Sequence, residues 1–188
     1  MEKDLTKYLK VYSDWIPQNI CQETVEELEK VEGQFQTHSF YDAYNKSYQS
    51  FNNELSVTWS NVKHKLIFMK RIWEALHKYL VDLNFNWFGA WSGYSEVRFN
   101  RYRPDTQMKL HCDHIHSMFD GERKGIPTLT VLGGLNNDYV GGELVFWEDT
   151  VISLKAGEVM VFPSIFLYPH RVDLVSTGTR YSFVSWAW

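Results

Sequence analysis

Two histidines and one aspartate in this chain have the types and spacing to hold a divalent metal. The segment Lys109-Leu110-His111-Cys112-Asp113 ends a candidate strand. Residues two apart on a strand project to the same face, so His111 and Asp113 can converge on one ion. A second imidazole, His170, lies far downstream in Tyr168-Pro169-His170-Arg171-Val172. Two imidazoles and a carboxylate form the facial triad of non-haem Fe(II) sites, which leaves coordination positions open. A 2-oxo acid can chelate two of these and O2 can take the third. His114 and His116 fall just past the pair, on the other phase of the alternation, and read as residues of a solvated loop.

Arg180 extends the pattern. It stands ten residues after His170 and heads the run Arg-Tyr-Ser-Phe-Val-Ser-Trp-Ala-Trp. An isolated arginine is ordinarily a surface residue, but this one enters a strand with a buried character. A charge carried into such a core needs a partner. The distal carboxylate of 2-oxoglutarate would be that partner, held by the two-pronged guanidinium.

The elements that must position these groups are legible in outline. The chain has 188 residues, 44% of them hydrophobic and 16% aromatic, enough for one substantial core. Its net charge is −4, without blocks of like charge, which disfavours a binder of nucleic-acid phosphates. No apolar stretch is long enough to span a bilayer, and the first residues lack the apolar region of a secretory signal. Two cysteines, Cys21 and Cys112, point away from a disulfide framework and toward a reducing cytoplasm.

The N-terminal half reads as helical. Val25, Leu28 and Val31 form a short stripe that Gly33 would stop. Val62, Leu66, Met69, Trp73, Leu76, Leu80 and Leu83 form a longer one, with Ser60 placed to cap its start and Asn84 to end it. That helix should lie against a sheet. Residues 34–59 are polar and aromatic without a clean period, and read as loop or flap. From Glu96 the texture changes to strands, at 96–103, 128–136, 143–147, 158–162, 168–173 and 179–187. The expectation is one mainly-β domain: helical support over about 1–95 and a helix-backed sandwich or barrel over about 96–188.

From about residue 96 to 188 the chain resembles the prolyl 4-hydroxylase-like group of 2-oxoglutarate/Fe(II) dioxygenases, most closely small stand-alone members of bacterial and phage type. The matching run begins with Asn100-Arg101-Tyr102-Arg103-Pro104, His111-Cys112-Asp113, Leu135-Asn136 and Gly141-Gly142-Glu143-Leu144-Val145-Phe146. It continues through Lys155-Ala156-Gly157-Glu158, Val161-Phe162-Pro163-Ser164, Pro169-His170-Arg171-Val172 and Gly178-Thr179-Arg180-Tyr181. The resemblance implies a double-stranded β-helix (jelly roll), and iron on His111, Asp113 and His170. It also implies 2-oxoglutarate and O2 as co-substrates, with ascorbate as an accompanying reductant. Tyr102 would hydrogen-bond the co-substrate near the metal, and Trp186 falls where the family often has a Trp beside the active site. A C–H bond would be hydroxylated, with release of succinate and CO2, in a polypeptide, prolyl residues included; a free amino acid or small metabolite is the open alternative. No oligomeric state is implied.

Two departures stand out. Met108 occupies a position where the family often has Tyr, and Gly133-Gly134 replace a Tyr-bearing strand segment, which suggests a wider or differently shaped pocket. Thr128 or Thr130 is then a candidate to complete the binding of the distal carboxylate. Phe146, Phe162 and Phe183 are candidates for a dry wall, or for core. Three rival readings are a nucleic-acid dealkylating oxygenase of AlkB type, a jelly-roll binding module without catalysis, and a cupin-like site for another metal. The first suits Asn100 and Tyr102, which share a strand face toward the co-substrate. It wants a second arginine six residues after Arg180, where this chain has Trp186.

Overall fold

The runs of β-branched and aromatic residues after Glu96 do form strands, and short pieces of the N-terminal half join them. A computed structural model of the chain describes residues 4–42, 44–51, 53–84, 92–113 and 127–188. The N-terminal half carries β1 (Lys10–Tyr12), helix α1 (Gln18–Lys30), β2 (Gln36–Thr37), β3 (Phe40–Asp42), β4 (Ser47–Gln49), β5 (Ser56–Thr58) and helix α2 (Lys65–Leu83). The C-terminal half carries β6 (Arg98–Tyr102), β7 (Met108–His111), β8 (Leu129–Gly134), β9 (Tyr139–Gly141), β10 (Leu144–Phe146), β11 (Thr150–Ile152), β12 (Val159–Pro163), β13 (His170–Val172), β14 (Val175–Gly178) and β15 (Arg180–Ala187).

The strands form a seven-stranded sheet, ordered β1-β12-β8-β15-β6-β5-β2, and a four-stranded sheet, ordered β11-β10-β13-β7. Their pairings are antiparallel. Alternation along β15 divides the molecule into two cores. Tyr181, Phe183 and Ala187 point outward into a cluster with α2, whereas Val184 and Trp186 point inward into a cluster shared with the smaller sheet. This is the helix-backed jelly roll expected from the sequence.

Helix α2 does lie against the sheet, but its buried face is rotated from the expected stripe. Phe68, Ile72, Ala75, Leu76 and Tyr79 are the buried residues, while Leu66 and Trp73 are exposed. Phe68 explains the rotation, since its ring packs edge-on against Phe99 and Phe183 of the large sheet at centroid distances of 5.5 and 5.0 Å. Burying such a ring is worth roughly 1.5–3 kcal/mol, enough to set the helix's roll. The end is as expected, with Asn84 left-handed at φ 50° and ψ 48°. The start is not. The helix begins after His64 without a side-chain cap, and the Ser60 hydroxyl is engaged instead by Thr58 and Gln34. Helix α1 likewise stops at Lys30, before Gly33, which sits in a 3₁₀ turn.

The segment expected as loop over 34–59 contains β2 and β5, which extend the large sheet, and the β3–β4 hairpin. It brings His38 and Glu54 into the interior, where among the described residues neither His38 Nδ1 nor either Glu54 carboxylate oxygen has a hydrogen-bond partner. Burial drives both toward neutrality, lowering His38 to about 3 and raising Glu54. The unfolded chain therefore takes up a proton at His38 near pH 6.5 that the folded chain refuses. The stability that His38 contributes is complete above that pH and is lost as pH falls toward 3. Between pH 7 and pH 5 the wild type should lose about 2 kcal/mol relative to His38→Gln, as read from urea unfolding at each pH. Parallel curves for the two proteins would show that His38 titrates normally in the fold.

Candidate active site

The two sheets meet at a cavity lined by His111, Asp113 and His170 together with residues of β6, β8 and β15. His111 ends β7, and His170 begins the neighbouring strand β13. They are direct cross-strand partners, with ring centroids 4.4 Å apart. Asp113 follows two residues after His111 and turns under both rings. Its Oδ1 lies 3.3 Å from His111 Nε2 and 3.8 Å from His170 Nε2. The three ligand-type atoms all lie within 4.8 Å of one another, a group that can hold a metal ion.

The tautomers follow from the backbone. His111 Nδ1 is 2.7 Å from the Lys109 carbonyl, and His170 Nδ1 is 3.0 Å from that of Tyr168. A carbonyl only accepts, so each Nδ1–H donates to it and each Nε2 faces Asp113. Such outer hydrogen bonds fix ligand orientation in metal sites. Phe146 and Phe162 pack against the His170 ring at 5.2 and 5.1 Å. Burial holds that imidazole neutral, at about 4, with the neighbouring His111 acting in the same direction. Burial also raises the Asp113 carboxyl, but both imidazoles and Thr130 outweigh it, and the group sits below the ordinary carboxylate range. Two imidazole nitrogens and one ionised carboxylate oxygen therefore converge, the donor set of a non-haem Fe(II) facial triad.

Thr130 stands elsewhere than expected. It lines the cavity, but its hydroxyl donates to Asp113 Oδ2 at 2.6 Å and also meets the Ser164 hydroxyl at 2.8 Å. It thus holds the carboxylate from the opposite sheet and is not directed at a distal co-substrate group. Phe183 is on the outer face against α2, so it forms no part of the wall.

Arg180 is 2% exposed and lies at the far end of the inner face of β15, paired in register with Tyr102 of β6. It is not among the lining residues. Its guanidinium packs over the Tyr102 ring at 4.8 Å, and Nη1 donates to the Ser182 hydroxyl. Tyr102 itself lines the cavity, its hydroxyl pushed up by burial despite Arg180 alongside. Asn136 of the Leu-Asn motif clamps the strand at this point. Its Oδ1 accepts from the Tyr181 N–H, and its Nδ2 donates to the Thr179 carbonyl, both at 2.7 Å. Gly142 does more than turn the chain: with φ +70°, a Cβ there would stand 2.8 Å from Arg180 Cδ.

The glycines that replace the family's aromatic do not widen the pocket. A Cβ on Gly133 would collide with the Phe183 ring at 2.2 Å, and one on Gly134 with the Lys155 carbonyl at 2.5 Å, so neighbours already fill that space. Phe40 of the hairpin stands edge-on to His111 at 6.1 Å, which brings part of the 34–59 segment to the site. The 114–127 loop, including His114 and His116, lies outside the described residues up to 126.

Asn100 and Trp186 line the cavity, as does Arg98, which sequence reasoning missed. Its signal was available, since Arg98, Asn100 and Tyr102 alternate on one face of β6. Arg98 donates from Nε to Asn100 Oδ1 at 3.0 Å and packs over the Trp186 ring at 4.8 Å. Burial lowers its pKa to about 10, so it is still charged at neutral pH.

A jelly roll with two inward imidazoles, an ionised aspartate and a buried arginine at the cavity's end has the make-up of a non-haem metal oxygenase. The comparisons agree. Residues 97–188, just under half of the chain, match the 2OG-Fe(II) oxygenase superfamily. A PKHD-type hydroxylase of Crocosphaera subtropica is 33% identical over 95 residues, covering 48% of this chain and 41% of its own length. One from Delftia acidovorans is 36% identical over 97 residues, covering 47% and 41%. The chain thus spans less than half the length of these relatives. In fold it is similar to a Pseudomonas putida prolyl-4-hydroxylase (TM-score 0.68, 16% identity, 96% of this chain and 91% of that one). It is also similar to a Trichoplax adhaerens prolyl hydroxylase solved with a hypoxia inducible factor peptide (TM-score 0.69, 18% identity, 97% and 84%). Among the described residues no helix is long and apolar enough to cross a membrane.

The Thr130 contact generates a prediction. Thr130→Val should weaken Mn(II) binding 10- to 100-fold, because Asp113 loses the donor that fixes it, while Thr130→Ser stays near wild type. Calorimetric titration of the three proteins decides it. Equal affinities would mean that the hydroxyl does not orient Asp113.

Proposed function

We propose that this chain is an Fe(II)- and 2-oxoglutarate-dependent dioxygenase that hydroxylates a C–H bond in a polypeptide or small-molecule substrate, prolyl residues included, with release of succinate and CO2. The observation that carries this reading is the convergence of His111 Nε2, Asp113 Oδ1 and His170 Nε2 in one cavity whose sheet face ends at Arg180. The peptide held by the Trichoplax enzyme supports a polypeptide among the possible substrates.

His111, Asp113 and His170 would hold the iron, which supplies O2 activation coupled to decarboxylation of the 2-oxo acid. The chain's own residues perform the remaining work. Thr130 and the Lys109 and Tyr168 carbonyls keep the three donors aimed at one point. Arg180 binds the distal carboxylate of 2-oxoglutarate, and Tyr102 positions the co-substrate along the inner face. Iron and Arg180 together carry three positive charges, matched by Asp113 and the two carboxylates of the co-substrate. Phe146 and Phe162 keep water from the His170 side. A dry, fixed site of this kind directs the oxidant to one bond.

His111→Ala, Asp113→Ala and His170→Ala should each abolish succinate formation, since a three-ligand site has no spare donor. A His111→Ala protein with full turnover would overturn the assignment. For Arg180→Ala, anaerobic titration should show at least a tenfold loss of 2-oxoglutarate affinity with metal binding retained. Arg180→Lys should fall between, because an ammonium gives a point charge where the guanidinium gives a fork. Unchanged 2-oxoglutarate affinity in Arg180→Ala would make that residue structural only.

A further inference from the structure

A second cation sits at the opposite end of the same sheet face. Arg98 pairs in register with Val184 and Tyr102 with Arg180, so the two arginines lie four residues apart along β6, about 13 Å at strand rise. The Asp113 end of the site adjoins Arg98 rather than Arg180, because Thr130, which holds Asp113, is the register partner of Trp186. Arg98 is 8% exposed, and the ion pairs among the described residues do not include it. Among the described residues it keeps one side-chain acceptor, Asn100, and the Trp186 ring beneath it. The Trp186 indole N–H, buried and in the same cavity, has no partner among the described residues.

A buried guanidinium without a carboxylate and a buried indole N–H without an acceptor are both costly to leave unmatched. Both are donors and both line the cavity beside the metal-ligand cluster. Asn100 spends its oxygen on fixing the guanidinium, which leaves the pair to a ligand that only accepts. In the co-substrate reading one carboxylate of 2-oxoglutarate is taken by Arg180 and the other by the metal, so neither is left for Arg98. We infer that Arg98 and the Trp186 N–H form an anion site for the primary substrate, which carries a free carboxylate close to the carbon that is hydroxylated. This rests on the oxygenase reading for its role, but not for its existence. A free amino acid and the C-terminal residue of a peptide share the chemistry.

The test uses ¹⁵N-labelled protein loaded with Zn(II) and saturating 2-oxoglutarate, and follows the Trp186 indole N–H resonance, assigned by its loss in Trp186→Phe. Acetate, glycine and N-acetylglycine should shift it saturably, and N-acetylglycinamide should not. The tighter of glycine and N-acetylglycine tells whether a free amino acid or a peptide C-terminus is the better occupant. Arg98→Met should weaken the anion effect at least tenfold, and Arg98→Lys less, with 2-oxoglutarate affinity unchanged in both. That retained affinity, with dispersed resonances from the other indoles, shows that the variants fold. The inference is overturned if the anions leave the resonance unmoved, if amide and acids act alike, or if Arg98→Met responds as wild type. Loss of 2-oxoglutarate affinity in Arg98→Met and Arg98→Lys would overturn it too, by making Arg98 a co-substrate residue. Failure of the oxygenase reading shows separately, as absent 2-oxoglutarate binding by the wild type.

Discussion

Asp113 is an ionised carboxylate that is only 5% exposed, and it lies between two β-sheets. Such a charge is tolerated only where donors and opposite charge surround it. One sheet supplies two imidazoles, brought side by side because His111 and His170 are cross-strand partners. The other supplies the Thr130 hydroxyl, itself engaged by Ser164. The carboxylate therefore ties the two sheets at one point, and a bound divalent cation would complete its surroundings. Phe146 and Phe162 make that point dry, which strengthens the same electrostatics.

The inner face of the large sheet distributes the remaining charge. Strand alternation places Arg98, Asn100 and Tyr102 on one face of β6, and Arg180, Ser182, Val184 and Trp186 on the matching face of β15. The result is a surface with a guanidinium at either end and Asn100, Ser182 and Val184 among the side chains between. Two separate anions, one at each guanidinium, would be oriented by such a surface rather than merely attracted. Asn136 and Gly142 serve Arg180 indirectly: one clamps the backbone on both sides of it, and the other leaves room for its stem.

The triad was legible because strand alternation makes His-x-Asp converge, and because His170 opens a strand with its own apolar pattern. The jelly roll was legible from the spacing of apolar runs and turn signals after Glu96. The roll of α2 was not, since Leu66 and Trp73 share a helical period with residues that are buried, and only the Phe68 contact with Phe99 and Phe183 selects the face. The short strands within 34–59 were hidden because they gain their stability from an existing sheet edge, which leaves little local period. Thr130 was seen as a candidate but given the wrong partner. Its neighbour across the cavity, Asp113, is set by the packing of two sheets, which a linear reading does not contain. Arg98 shared the phase of Asn100 and Tyr102 and carried a signal of its own, but it lay outside the motif that drew attention to the strand.

The central claim is that one metal and one 2-oxo acid occupy this cavity in a fixed order. Diffraction from crystals grown without oxygen in Mn(II) and 2-oxoglutarate tests it most directly, since the anomalous signal locates the metal. The account predicts a single metal peak bonded to His111 Nε2, Asp113 Oδ1 and His170 Nε2, with the distal carboxylate of 2-oxoglutarate against Arg180. A metal bound elsewhere, or a distal carboxylate resting on Arg98 with Arg180 unengaged, would contradict it.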